Sequence, residues 1–102
     1  MQIVMIDRKL TNMIEMSREI VHEIAEEEGM LLLDDFDEEI IGLASRSGDN
    51  TVVAYSIDGI IQILMDKFGK SYPEALEHYS FSIEGKYMGD MTPMFIRLIS
   101  ET

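Results

Sequence analysis

The stretch at residues 39–65, EIIGLASRSGDNTVVAYSIDGIIQILM, contains the signals that decide the fold. Two runs rich in apolar and β-branched residues, 39–45 and 51–55, flank a Gly/Asp/Asn cluster at residues 47–50. That arrangement is typical of two strands joined by a short connection. It predicts an antiparallel hairpin.

Two helices should follow the hairpin. Ser56 can cap the first one, because its hydroxyl can accept a hydrogen bond from the first helical turn. Ser71 and Glu74 form a capping-box pattern at the start of a shorter helix over residues 72–80, with Pro73 inside its first turn. The first of these helices carries apolar residues at helical spacing and stops at a glycine: Ile57, Ile60, Ile61, Leu64, Met65 and then Gly69.

An amphipathic helix should precede the hairpin, over residues 8–28. Asp7 is placed to act as its N-cap, and Gly29 is placed just past its C-terminal end. Apolar residues recur at helical spacing between these two positions: Leu10, Met13, Ile14, Ile20, Val21 and Ile24.

The end of the chain supplies a third strand. Gly85, Gly89 and Pro93 bound an irregular segment, and residues 93–99 are predicted to form a closing strand. The order α-β-β-α-α-β predicts an α+β fold with helices on one face of a three-stranded antiparallel sheet. No repeat, linker or change of composition divides the chain, so residues 1–102 are predicted to form a single domain.

Charge is the property that most restricts function. Twenty Asp and Glu against eight Lys and Arg give a formal net charge of −12. Nine of these acids lie within residues 23–39, which contain no Lys or Arg. A field of this sign repels nucleic acid and anionic lipid and attracts basic surfaces. We therefore expect no direct nucleic-acid binding, no membrane binding and a protein partner with a basic surface.

The remaining composition is that of a soluble intracellular domain. The chain has no cysteine, which removes disulfides, thiol nucleophiles and thiolate metal sites together. Residues 1–6 are apolar but too short for a signal peptide, and no apolar run approaches the ~20 residues that span a bilayer. These observations predict a cytoplasmic location.

Catalytic signals are weak. His22 stands among glutamates, which is typical of a solvated surface histidine, and His78 with Glu74 four residues earlier is a common helix pair. No serine lies in a nucleophile-elbow context, and no glycine-rich loop resembles a phosphate cradle. The sequence therefore predicts a protein that is not an enzyme and needs no cofactor.

The acids at residues 34–39, within this acidic run, raise the question of a metal ion. Hard cations prefer clustered oxygen ligands, but the spacing of these acids does not fit an EF-hand loop. Asp35 and Asp37 alone are a weak cue for Mg²⁺, and an acidic turn exposed to solvent is the favoured interpretation. The cluster consists of Asp34, Asp35, Asp37, Glu38 and Glu39.

The acids of the first helix and of this turn are the candidate partner-binding residues. Acids three and four residues apart on a helix lie side by side, and a row of carboxylates can occupy a Lys/Arg array that otherwise binds phosphates. The alternative is a plain solvated helix face. The candidates are Glu19, Glu23, Glu26, Glu27, Asp34, Asp35 and Asp37.

The segment at residues 85–89, GKYMG, allows two interpretations. Two glycines around an aromatic residue permit a positive φ or a close backbone approach, which lets Tyr87 lie on the core with its hydroxyl in water. In the second interpretation Tyr87, Met88 and Met91 form an exposed apolar anchor for a partner, since methionine makes adaptable binding surfaces.

Three stretches resemble a group of small proteins encoded by bacteriophages. They are residues 37–44, DEEIIGLA; residues 53–58, VAYSID, with ILM at 63–65; and residues 72–96, YPEALEHYSFSIEGKYMGDMTPMFI. The likeness covers roughly residues 33–97 and leaves the acidic first helix outside it. It implies a phage accessory gene and supplies no catalytic residues. Phage proteins of this size often bind and block a host enzyme.

Together these features predict an inhibitor that binds a basic, nucleic-acid-handling host protein through an acidic face. Such a protein could act against host defence or serve host takeover as a nucleic-acid mimic. The alternative is an interaction or homodimerisation module that uses the apolar Met/Tyr surface, with charge serving solubility only. A metal-dependent enzyme is the third possibility.

Overall fold

The computed structural model describes residues 17–99, which form an α+β domain, as predicted. None of the helices in this part of the chain is long and apolar enough to cross a membrane. In chain order the elements are helix α1 (Arg18–Glu28), a 3-10 turn (Asp37–Glu39), strands β1 (Ile40–Ala44) and β2 (Val52–Ser56), helices α2 (Ile57–Asp66) and α3 (Tyr72–His78), a π-helical segment (Tyr79–Glu84) and strand β3 (Met94–Ile96).

Strand β2 is the centre of the sheet, and all five of its residues are buried. Its continuous apolar run explains that position, because a strand covered on both faces needs no alternation of polar residues. The predicted hairpin is confirmed, since β1 and β2 pair antiparallel. The register shifts between Ile40 and Gly42, where a β-bulge interrupts the pairing.

The prediction of a purely antiparallel sheet is wrong, because β3 pairs parallel to β2 and the sheet is mixed. The chain leaves β2 directly into α2 and returns through α3 and the π-helical segment. Parallel neighbours need a long crossover connection, and this one is long enough for β3 to run in the same direction as β2. The third strand is also shorter than predicted, at three residues within the expected 93–99.

Both predicted caps after the hairpin are confirmed. The Ser56 hydroxyl accepts a hydrogen bond from the Gly59 amide at 3.1 Å. The Ser71 hydroxyl accepts from the Glu74 amide at 3.3 Å, and the Glu74 carboxylate accepts from the Ser71 amide at 2.8 Å. These reciprocal bonds satisfy donors that the first turn of α3 leaves free.

The predicted first helix ends where expected, but it is not continuous through Ser17. Gly29 terminates it in the left-handed conformation, at φ 74°. Its N-cap is Ser17, whose extended backbone stops the helix and whose hydroxyl accepts from the Ile20 amide at 3.2 Å. The predicted cap at Asp7 and the helical residues 8–16 lie outside the described residues.

Helix α3 ends two residues earlier than predicted and continues as the π-helical segment. Tyr79 and Ile83 are the buried residues of that segment, so the wider turn continues the apolar side of α3. At its end the Gly85 backbone lies against the Ser80 carbonyl, where an added Cβ would sit 2.8 Å from the oxygen. A glycine is therefore required by close approach.

Tyr55 and Phe95 join the strands at the centre of the core. The Tyr55 ring is fully buried and stacks on Phe95 with ring centroids 6.3 Å apart, and Tyr79 meets Phe95 edge-on at 5.7 Å. The Tyr55 hydroxyl accepts a hydrogen bond of 2.8 Å from the Leu33 amide. The buried Tyr79 hydroxyl makes no well-formed hydrogen bond with the described residues, and its pKa is raised by burial and by the Glu84 carboxylate near it.

These two tyrosines should respond oppositely to loss of the hydroxyl. Tyr55→Phe leaves the Leu33 amide without its acceptor, so we expect the free energy of unfolding to fall by about 1–3 kcal/mol. Tyr79→Phe removes an unpaired buried hydroxyl and should leave stability unchanged or raise it. Urea denaturation of both variants measures the difference. Equal destabilisation of the two would contradict the role given to the Leu33 bond.

Candidate functional site

Helix α1 presents its predicted acids on its exposed side. Val21 and Ala25 are buried against the sheet, which fixes the rotation of the helix. The four predicted acids are consequently exposed and, at their spacings of three and four residues, neighbouring pairs lie side by side: Glu19, Glu23, Glu26 and Glu27.

The second acidic segment is the turn at residues 34–39, which two interactions attach to the core. The Leu33 amide before it is bound to the Tyr55 hydroxyl, and Phe36 within it is buried. Between them Asp35 takes a positive φ of 74°, a conformation that Asp tolerates better than most residues. The predicted acids of this turn are all exposed: Asp34, Asp35 and Asp37.

His22 connects the two acidic segments. Its Nδ1 lies 3.3 Å from Oε1 of Glu26 on the same helix, and its Nε2 lies 3.8 Å from Oδ2 of Asp37 on the turn. The imidazole is 38% exposed, so His22 is a surface residue that also contacts two carboxylates. The contact with Glu26 is visible in the sequence as a four-residue spacing, whereas the contact with Asp37 depends on the tertiary fold.

A groove of about 430 Å³ runs along this junction. The residues that line it include Glu19, His22, Asp37 and Glu38. Arg18 lies at one end, where its Nε donates a hydrogen bond of 3.1 Å to the Ile40 carbonyl and so attaches α1 to β1. The structure therefore brings Glu26 and Asp37 to one histidine, and Glu19 lines the same groove.

Only one acid within residues 23–39 forms an ion pair with a Lys or Arg of the described chain. Glu38 Oε1 lies 2.7 Å from Lys67 Nζ, just after α2. This hydrogen bond lowers the pKa of Glu38 and raises the pKa of Lys67. Both side chains are exposed, so the pair adds little to stability. Its main effect is to reduce the negative charge at one edge of the turn.

Replacing Lys67 should return the pKa of Glu38 toward its ordinary value. In Lys67→Met the hydrogen bond and the positive charge are both lost, so the Glu38 carboxyl should titrate at a higher pH. Because its folded-state pKa is the lower one, the stabilisation from this pair is present at neutral pH and is lost on acidification. Carbon-detected NMR titration measures the shift. Lys70→Met is the matched control, and an equal shift there would contradict the assignment.

Glu39 lies apart from the exposed acids. Its carboxylate rests against Gly59 in the first turn of α2, where any larger side chain would collide with it. A negative charge at this end of a helix is favourable, because it faces the positive end of the helix dipole. Glu39 is therefore a structural acid.

The Met/Tyr segment is more exposed than the turn interpretation predicted. Tyr87 is 75% exposed and does not lie on the core, so that part of the prediction is wrong. Its hydroxyl donates to Asp90 Oδ1 at 3.1 Å, and Asp90 raises its pKa. Met88 is 61% exposed, whereas Met91 packs against the core and its carbonyl accepts from the Leu31 amide. Met91 therefore contributes mainly to the core.

Both predicted roles of the flanking glycines are confirmed, one at each end. Gly85 permits the close approach to the Ser80 carbonyl, and Gly89 has a φ of 102°. Tyr87 lines a cleft of about 510 Å³ with Asp90, Pro93 and Met94. The apolar candidates thus belong to a surface next to β3, distinct from the groove at His22.

The catalytic and metal candidates do not assemble into a site. Glu74 is engaged by Ser71 in the capping box, and it forms no ion pair with His78. Within residues 17–99, no group of three or more His, Asp or Glu side chains is placed to hold a metal ion. Asp37 faces His22, and Asp35 makes no hydrogen bond or ion pair with another described side chain.

Comparison with known proteins provides no relative from which a function could be inferred. The sequence matches no protein-family model and no curated protein, and no solved structure matches the chain. The resemblance to small phage proteins stays a prediction, and the site is interpreted from its own chemistry.

Proposed function

We propose that this protein binds a basic, nucleic-acid-handling protein through an acidic face formed by α1 and the turn at residues 34–39, and inhibits it. One observation supports this proposal above the others. The Glu26 and Asp37 carboxylates approach the same imidazole from two segments, so acids far apart in sequence belong to one surface. If the resemblance to phage proteins holds, the target is a host protein.

Within residues 17–99, few cations compensate the charge of this face. Lys67 pairs with Glu38 at its edge, and Arg18 is engaged by the Ile40 carbonyl. A stable monomer gains little from such a concentration of charge, because the carboxylates repel one another. A partner rich in Lys and Arg would remove that repulsion on binding and would be attracted over a long range.

The chemistry of the face indicates what the partner ordinarily binds. Proteins that bind DNA or RNA contact the phosphates with arrays of Lys and Arg. Carboxylates carried by a rigid helix and an anchored turn can fill the same array. The partner would then be blocked in competition with nucleic acid, with no chemical step required.

Reversing the charge at four positions of this face should abolish binding. The positions are exposed and make no hydrogen bond or ion pair with another described side chain, so the fold should persist. Immobilised wild type should capture a nucleic-acid-binding protein from a nuclease-treated bacterial lysate, with release at high salt. A competing oligonucleotide should also release it, and the variant should capture none. The changes are Glu19→Lys, Glu23→Lys, Glu27→Lys and Asp34→Lys.

A second fourfold variant provides the control for net charge. It makes the same change in total charge at exposed acids outside the face, and it should retain capture and competition. Loss of binding in both variants, or in neither, would contradict recognition by the acidic face. The control positions are Asp49→Lys, Asp66→Lys, Glu77→Lys and Glu84→Lys.

The exposure of Tyr87 and Met88 favours a second candidate function, binding of a partner through an apolar surface. Two large side chains exposed next to one another are typical of an interaction site. In this case capture should survive high salt and be lost in Tyr87→Ala while the fourfold acidic-face variant still binds. The same pull-down distinguishes the two functions, because their salt dependence is opposite.

A further inference from the structure

Strand β3 forms an open edge of the sheet with an apolar outer row. It pairs only with β2 among the described strands, so its other side has unpaired backbone donors and acceptors. Met94, Ile96 and Leu98 alternate along the chain and are all exposed. Ile99, the last described residue, is 90% exposed. Natural proteins usually protect such an edge with charges or cover it.

The local charge at this edge is small, because the one Arg of the segment, Arg97, has its Nε 3.7 Å from Asp58 Oδ1 on α2. Residues 91–100 contain no acid and one Arg, in a protein of net charge −12. A second copy of this acidic chain is repelled by most of the surface and least by this segment. An edge that is apolar, nearly neutral and unpaired among the described strands therefore fits a second copy better than it fits a strongly basic partner.

From these observations we infer that two copies of the chain pair antiparallel through β3, forming a continuous six-stranded sheet. Such an interface is isologous, with the same residues contributed by each copy. Pairing of exposed edge strands provides main-chain hydrogen bonds, and the alternate side chains determine the register.

The side chains select one register, in which Ile96 faces Ile96 of the second copy. In that register Met94 lies across from Leu98, so the exposed row is apolar on both sides. Arg97, which pairs with Asp58 of its own copy, lies across from Phe95. A shift centred on Arg97 would place two guanidinium groups directly opposite each other, which is destabilising.

The same register accounts for the exposed Ile99. Antiparallel pairing centred on Ile96 places Ile99 of one copy across from Pro93 of the other. Pro93, Met94 and Phe95 line the cleft of about 510 Å³ next to Tyr87. Ile99 would therefore be directed to the mouth of an existing cleft, where it loses contact with water.

Sedimentation velocity of the full chain over a wide concentration range tests this inference. Wild type should dimerise with increasing concentration, more strongly at high salt because the remaining acidic surfaces repel. Ile96→Lys places two like charges across the twofold axis and should leave only monomer. Ile41→Lys is the matched control on the opposite edge strand, since Ile41 is 38% exposed and Ile96 37%, and it should dimerise as wild type does.

A rescue variant tests the register itself. Met94→Glu and Leu98→Lys should each weaken the dimer, whereas the double variant places opposite charges face to face twice and should restore it. The restored dimer should weaken with salt, unlike wild type. Circular dichroism checks that each variant is folded. A wild type that stays monomeric, an Ile96→Lys variant that still dimerises, or a double variant no better than the singles would overturn the inference.

Discussion

The hydrogen bond from the Leu33 amide to the Tyr55 hydroxyl is the interaction on which the arrangement of the site depends. Tyr55 is fully buried in the central strand, and its ring packs against Phe95 of the parallel neighbour. Its hydroxyl therefore occupies a fixed position at the edge of the core. The bond holds the chain just before the acidic turn, and burial of Phe36 holds the turn itself. Burial, opposed in part by this bond, raises the pKa of Tyr55, so its hydroxyl stays neutral at physiological pH.

A well-packed core permits the unusual distribution of charge. Mutual repulsion of the acids in α1 and the turn opposes folding, and apolar burial around β2 and α2 must exceed it. The cations that contact this region act at its edges, where Arg18 binds a backbone carbonyl and Lys67 binds Glu38. At β3, by contrast, apolar side chains are exposed and the nearby Arg97 lies beside Asp58.

Local signals in the sequence were sufficient for most elements of the fold. The Ser56 cap, the Ser71–Glu74 capping box and the hairpin each depend on residues a few positions apart, and all three are confirmed. The direction of β3 was predicted wrongly, because the choice between parallel and antiparallel pairing depends on the path of the whole crossover. The sequence signal for a crossover was Ser56, where strand β2 passes directly into helix α2. For the candidate site, the exposure of the acids was predictable from helical spacing. The contact of His22 with Asp37 was not, because it joins segments that only the tertiary fold brings together.

The central claim is that two acidic segments form a single surface around His22. The most direct measurement is the set of nuclear Overhauser effects from the His22 ring protons in a uniformly labelled sample. The structure predicts cross-peaks to the side-chain protons of both Glu26 and Asp37, together with protection of the Leu33 amide from hydrogen exchange. A His22 ring with contacts only to its own helix, and a Leu33 amide that exchanges rapidly, would show that the two acidic segments are independent and would contradict the account.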